Sequence, residues 1–401
     1  MAPSRHVIVA GAGIAGLTTA MTLSRAGFRA TVLEQAAKLE ETGAGIQLSP
    51  NATRILFELG LRDRLEPHVV KPQMIRVMSG GSGREIACIP LGDLAERRYG
   101  APFWVIHRGD LQAALLDGAR GMIDIDIKLD HRFDDFASHA NGITVQAFRG
   151  KQLVDERGAA LIGADGIWSA VGDKLKSHRK PVFAHRTAWR TLVPADSVPD
   201  YLRAPVVHLF LGMDAHLVAY PVKAGALVNL VGIVNDDWNE RGWNAPGDRT
   251  EILRRFARFT WAESVRELIG IPQRWLKWAL FDNATPFAGG AGAVTLVGDA
   301  AHPMLPFLAQ GAGMAIEDAA VLADTLKKHS ENPAAGLRAY ERLRRARTAR
   351  VQRTARQQGS IYGRTGPEAV ARNLVMRLIG GERLLKRYDW VYNWRQDQGA
   401  V

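Results

Sequence analysis

The stretch Val7-Ile-Val-Ala10-Gly11-Ala-Gly13-Ile-Ala-Gly16 decides the fold. Its first four residues are a short apolar run rich in β-branched side chains, which reads as a buried strand. The glycines make a turn, and residues 17–26 carry a helical pattern that stops at Gly27, a natural C-cap. Ala30-Thr-Val-Leu33 is a second strand, closed by Glu34. Strand, turn, helix and strand in that order make a βαβ unit, and hence a parallel sheet. Gly11 permits the tight turn, Gly13 lets a pyrophosphate approach the backbone, and Gly16 lets the helix close on the strand. A diphosphate then lies at the helix N-terminus, where N–H groups and the dipole favour anions. Glu34, 23 residues beyond Gly11, is placed to accept hydrogen bonds from the ribose of an adenosine moiety. The motif alone does not separate FAD from NAD.

Two later stretches repeat the strand-to-turn pattern. Ala293-Val-Thr-Leu-Val297 runs into Gly298-Asp299-Ala-Ala-His302-Pro303 and on to Gln310-Gly311-Ala312-Gly313. That is a strand, an acidic turn and a Gly-rich helix start, so a second anion-accepting helix end lies far from the first. Asp299 at the strand's C-terminal edge suits ribityl hydroxyls, and amides at 311–313 suit a flavin ring edge that is negative when reduced. His302 reads as a histidine packing or capping in the turn. Ala159-Ala-Leu-Ile162 leads into Gly163-Ala-Asp165-Gly166. Alone, Asp-Gly is a turn signal; beside the other two motifs it gains meaning.

Composition sets the outer limits. At 401 residues the chain is longer than the ~250 at which single cores divide. No apolar run reaches the roughly 20 residues of a bilayer-crossing helix. Met1-Ala-Pro-Ser-Arg-His6 leads into the first strand without a signal-peptide h-region, so a cytoplasmic protein is expected. The lone Cys88 excludes an internal disulfide and a multi-Cys metal site, and no metal is expected. A formal charge of +11 could steer anions. The excess is concentrated in 338–356, which reads as a helix with Arg all round, no clear apolar face and a solvated surface. Without interleaved aromatics or a recognised module, it predicts no nucleic-acid partner. In the middle, Val206–Leu211, 216–222 and 226–234 are strand-like runs between short turns, which predicts antiparallel hairpins in a second sheet. His216 and Tyr220, four apart on one strand, point to the same sheet face.

Taken in order, these motifs resemble the single-component FAD-dependent aromatic hydroxylases. The branch is the one containing salicylate hydroxylase, 3-hydroxybenzoate 6-hydroxylase and 6-hydroxynicotinate 3-monooxygenase. Gly43-Ala-Gly-Ile-Gln47-Leu-Ser-Pro-Asn51, Ile89-Pro-Leu-Gly92, Ile106-His-Arg108-Gly-Asp-Leu111 and residues 299–318 read like that branch, so the likeness spans nearly the whole chain. It implies an α/β fold, with a Rossmann-like FAD-binding domain interleaved with a β-sheet substrate domain, plus C-terminal helices. Residues 1–70, 100–175 and 278–330 would form the first, 71–99 and 176–277 the second, and 331–401 the helical region. The resemblance implies FAD bound by Gly11, Gly13, Gly16, Glu34, Gln47, Arg108, Asp165, Asp299, Gly311 and Ala312, with the 43–47 loop beside the ring. Asp165-Gly166 would also serve NADH or NADPH. Tyr220 and His216 match a tyrosine and histidine that orient the phenol in hydroxybenzoate 6-hydroxylases and help deprotonate it. His208, on the preceding strand, is a further candidate for the same cavity. The chain departs from the pattern where Gly172 follows Val171 in place of Val-Arg, and where Ala309 and Gly313 replace Gly and Asn.

The implied reaction is hydroxylation of a small aromatic acid of the hydroxybenzoate, salicylate or hydroxynicotinate type. NAD(P)H would reduce FAD, and O₂ would add to give a flavin hydroperoxide that attacks the ring. The protein supplies binding, orientation and a dry site. An alternative is a hydroxylase of a quinone precursor at a membrane surface, with the basic helices as the contact. No stable membrane insertion is expected, and a homodimer is allowed.

Overall fold

The computed structural model describes residues 5–39, 44–175, 179–242, 244–257, 261–283 and 289–396. Gly43 of the ring-side loop and the N-terminal residues 1–4 lie outside them. His6–Ala10 is the central strand of a five-stranded parallel sheet, in the order Val294–Leu296, Ala160–Gly163, His6–Ala10, Arg29–Leu33 and Ile125–Lys128. Continuous apolar runs suit it, because a parallel sheet is covered on both faces. The helices Ile14–Arg25 and Gly311–Lys328 pack together beside it, close enough for Thr22 Oγ1 to donate to the Ala319 carbonyl at 2.9 Å. An antiparallel sheet of His131–His139, Gly142–Arg149 and Gln152–Gly158 adds Phe133, Ile143, Val145 and Ala147 to the same core.

A second, eight-stranded sheet runs Ala245–Gly247, Trp275–Asp282, Val182–Pro194, Leu227–Asn235, Ala215–Val222, Val206–Leu211, Met74–Ser79 and Glu85–Pro90. Neighbours are antiparallel except Met74–Ser79 beside Val206–Leu211. The hairpins expected from the middle of the sequence are its centre. Period-two alternation gives it two different faces. Trp189, Phe210, Leu217 and Leu230 meet the helices Arg249–Ala257 and Glu263–Gly270 in one core, while Arg190, Val231, Val218, Leu209 and Val77 face a cavity.

The chain ends in the 30-residue helix Pro333–Tyr362, N-capped by the Asn332 side chain, then Gly366–Ile379, Gly381–Lys386 and Asp389–Tyr392. Here the structure corrects the sequence reading. The long helix buries Leu337, Tyr340, Arg344, Thr348, Val351 and Ala355, a narrow stripe at heptad-like spacing. Arg344 and Thr348 interrupt that stripe in the sequence, so the apolar face does not show as one. Arg344 is not a solvated arginine: it is 1% exposed and ion-paired. Among the described residues no helix is long and apolar enough to cross a membrane.

Candidate active site

A cavity of about 1320 Å³ is lined by both large sheets and by the C-terminal helices. A single small-molecule site usually occupies ~300–1000 Å³, so this one has room for more than one ligand. Gly11, Gly13, Glu34, Gln47, Arg108, Asp165, Asp299, Gly311 and Ala312 line it from the parallel-sheet side, His216 and Tyr220 from the other sheet. Gly16 does not reach it.

The glycines of the first turn divide by role. A Cβ on Gly16 would fall 1.8 Å from the Gly11 carbonyl oxygen, and one on Gly11, at φ 104°, 2.6 Å from that of Ala164. Both are required by the protein's own packing. A Cβ on Gly13 would meet nothing within 4 Å, so the missing side chain leaves open space on the cavity wall. Glu34 is fixed by the turn it serves: its Oε2 accepts from the Ala12 amide and its Oε1 from the Ala36 amide, each at 2.8 Å. Each carboxylate oxygen keeps a lone pair for a ribose hydroxyl. Asp165 accepts from Ser169 Oγ at 2.5 Å and from the Val171 amide at 3.0 Å, so it also holds its own loop in shape. Burial pushes the Asp299 carboxyl upward, against the pull of His302 and Arg108. Burial lowers Arg108, with Asp299 opposing. Ala309 adopts φ 51°, in the left-handed region that favours glycine. Backbone amides at two helix starts, one guanidinium and three carboxylates fit a dinucleotide with a polyhydroxyl chain.

At the other end the wall is aliphatic: Ile75, Val77, Val207, Leu209, Val218 and Val231. His216 and Tyr220 interrupt it, on the same face as Val218 between them. The His216 ring lies 5.5 Å from that of Phe307 and 5.3 Å from that of Tyr362. Burial, then Arg186, lowers its pKa to about 3. Burial raises that of Tyr220. Gly45 joins the two ends. Its amide donates to Asn229 Oδ1 at 2.8 Å, and a Cβ on it would fall 2.5 Å from the Tyr220 ring. His208 is a correction. It pairs in register with Ala219, one residue out of phase with Val218 and Tyr220, and faces away from the cavity against the rings of Tyr201 and Phe210.

Comparison with known proteins agrees with this geometry. Residues 4–355 match the model of a family described as FAD binding domain. A 3-amino-4-hydroxybenzoate 2-monooxygenase of Streptomyces platensis is 36% identical over 97% of this chain and 96% of its own length. A 3-hydroxybenzoate 6-hydroxylase of Aquipseudomonas alcaligenes is 35% identical over 99% and 98%. A salicylate hydroxylase solved as a substrate complex superposes with a TM-score of 0.81 at 26% identity, covering 98% of this chain and 96% of that one. Klebsiella pneumoniae HpxO, solved with FAD and uric acid, gives 0.82 at 27% over 95% of each. The chain belongs to the FAD-binding domain family. FAD is its cofactor.

The parallel-sheet end of the cavity rests on a buried polar network that sequence reading missed. Asp318 Oδ2 accepts from the Gly298 amide at 2.9 Å and meets His302 Nε2 at 2.5 Å. Its Oδ1 accepts from Arg344 Nε at 2.6 Å, and Arg344 NH1 donates to Glu317 Oε2 at 2.7 Å. Arg347 donates to both Glu317 oxygens at 2.6 Å. Asn51 Nδ2 donates to Glu317 Oε1 at 2.7 Å and to Gln310 Oε1 at 3.1 Å, while Gln310 Nε2 donates to Ser49 Oγ at 2.8 Å. Thus the Asp299 turn, the helix start at Gly311 and the strand bearing Gln47 are tied to the C-terminal helix. The available signals were Ser49-Pro-Asn51 and Glu317-Asp318, but nothing in the sequence names Arg344 as their partner.

Proposed function

We propose that this FAD-dependent monooxygenase hydroxylates a small phenolic acid in the cytoplasm, with NADH or NADPH as reductant. The observation that carries the reading is a polar corner, Tyr220 and His216, in an aliphatic wall that opens onto the FAD site. Bound FAD supplies electron uptake from NAD(P)H and activation of O₂. The chain's residues do the rest. The wall of Ile75, Val77, Leu209 and Val218 excludes water, and Gly45 resting on Tyr220 fixes the ring-side loop against the substrate face. Both polar groups are held neutral by burial. An imidazole with a pKa near 3 does not store a proton at neutral pH. His216 therefore serves as a hydrogen-bond acceptor and Tyr220 as a donor or acceptor, and the pair orients the phenol and polarises its O–H bond. The hydroxybenzoates named for the relatives favour an acid over an uncharged quinone precursor.

The test is a screen of aromatic acids, beginning with 3-hydroxybenzoate and 3-amino-4-hydroxybenzoate, for stimulated NAD(P)H oxidation with a hydroxylated product identified by mass spectrometry. Absence of product from every acid defeats the proposal. Tyr220→Phe keeps the ring volume and removes only the hydroxyl. FAD content and NAD(P)H oxidation should persist while hydroxylation slows ~10²- to 10⁴-fold and H₂O₂ rises. Unchanged coupling would make Tyr220 part of the wall only.

A further inference from the structure

We propose that the substrate enters through a cationic mouth in the C-terminal helices, steered there by Arg364 and Arg387, an inference that rests on reading that substrate as an aromatic acid. A side chain that lines the cavity and is also exposed to solvent marks a place where the cavity opens. In the C-terminal helices these side chains are Arg364, Ala371, Val375 and Arg387. Val375 is 50% exposed, so the lip is apolar as well as cationic, which suits a flat ring with an ionised edge. From the lip the wall leads on to the polar corner. Arg364 follows Tyr362 by two residues, Arg372 NH1 donates to the Tyr362 carbonyl at 2.9 Å, and the Tyr362 ring lies 5.3 Å from that of His216. Tyr388, next to Arg387, lines the cavity as well.

Charge is spread unevenly along the cavity. The carboxylates that line it among the described residues, Glu34, Asp165 and Asp299, all belong to the parallel-sheet end. The C-terminal end presents Arg364, Arg372 and Arg387 instead. Across residues 364–387 the chain carries six basic side chains against two acidic ones, Glu368 and Glu382. Glu368 stands 3.9 Å from Arg364 and offsets part of its charge, yet the segment stays strongly positive. Arg372 is spent on structure: Nε donates to Asn373 Oδ1 at 3.0 Å and NH1 also reaches the Ile361 carbonyl at 3.1 Å. The exposed Arg364 and Arg387 are left to face solvent. An opening lined by one sign of charge above low-dielectric walls focuses the field and raises the local concentration of the opposite ion. The other exposed lining residues do not offer this. Gln35 and Ala170 adjoin Glu34 and Asp165, whose carboxylates repel an acid.

The experiment follows flavin absorbance by stopped flow as FAD-loaded enzyme binds 3-hydroxybenzoate, 3-amino-4-hydroxybenzoate or the uncharged 3-hydroxybenzamide. Raising the ionic strength from about 0.01 M to about 0.15 M shortens the Debye length from about 30 Å to about 8 Å. For wild type the association rate constant of an acid should then fall at least about threefold, while that of the amide holds. Arg364→Gln/Arg387→Gln should slow acid association at low salt by at least about threefold and flatten its salt dependence, with the amide as in wild type. Arg364→Lys/Arg387→Lys, which keeps both charges, should restore the rate. Arg149→Gln/Lys151→Gln removes two exposed charges from a hairpin of the antiparallel sheet and should keep the wild-type rate. An unchanged acid rate in Arg364→Gln/Arg387→Gln overturns the proposal. An equal loss in Arg149→Gln/Lys151→Gln also overturns it, by assigning the effect to net charge. Acids that bind and are hydroxylated without salt-sensitive association overturn the mouth and leave the aromatic-acid reading standing. A wild type that binds no acid and hydroxylates none overturns both.

Discussion

The turn at 11–16 and the cluster around Arg344 both shape the parallel-sheet end of the cavity, and they are built in opposite ways. The turn works through its own backbone. Its three glycines, the helix that follows and Glu34 lie within a short stretch, and each residue's task follows from local geometry. The cluster works through charges that meet only in the folded chain. Glu317 and Asp318 come from one helix, Arg344 and Arg347 from the next, Asn51 from the start of the helix Pro50–Glu58, and His302 and Gln310 from two separate turns. Ligand contact by backbone leaves a spacing signature; support by side-chain pairing leaves none.

Single substitutions can break that contrast. Gly13→Val should have the largest effect, because its side chain enters space the protein leaves open and the cofactor needs. Folded but FAD-free protein is expected, by circular dichroism and flavin absorbance. Gly16→Val, whose Cβ has no room beside Gly11, should not fold. Full flavin occupancy in folded Gly13→Val would dissolve the difference between the two glycines. Arg344→Met should come next. It leaves Glu317 and Asp318 buried with one fewer cation, and breaking such a pair costs ~3–5 kcal/mol. The urea midpoint and the FAD affinity should both fall, whereas Arg345→Met, one residue on and exposed, should stay within ~0.5 kcal/mol. Equal effects from the two arginines would return the helix to a solvated surface.

The sequence was most legible where periodicity and glycine spacing speak locally. The βαβ start, the hairpins of 206–235 and the shared face of His216 and Tyr220 need no partner to be read. His208 shows the limit. Its strand was evident, but which face it presents depends on register with Ala219, and a one-residue phase difference sends it away from the cavity. Arg190 went unread for a related reason. On its own strand it is one arginine between Trp189 and Thr191, and only the order of strands in the sheet brings it onto the cavity wall.

The smallest expected effect concerns the two histidines on opposite faces of that sheet. Burial, then Arg76, lowers His208 to about 4; burial, then Arg186, lowers His216 to about 3. Both pKa values lie below the ordinary 6.5 of an unfolded chain. On acidification from about pH 6.5 toward 4, the unfolded chain therefore takes up protons that the folded protein refuses, and stability falls as pH falls. Each histidine contributes up to ~1.4 kcal/mol per pH unit in that window. Above about pH 7 neither contributes to the slope. The measurement is a set of urea midpoints between about pH 5 and 6.5, at fixed FAD, a range that stays above the titration of the salt-bridged Glu317 and Asp318, whose pKa values are lowered. His208→Phe and His216→Gln should each remove a similar part of the slope. Only His216→Gln should also reduce the coupling of NAD(P)H oxidation to hydroxylation, since only it faces the substrate wall. A change in coupling from His208→Phe alone would mean that the two faces of the sheet are not functionally distinct.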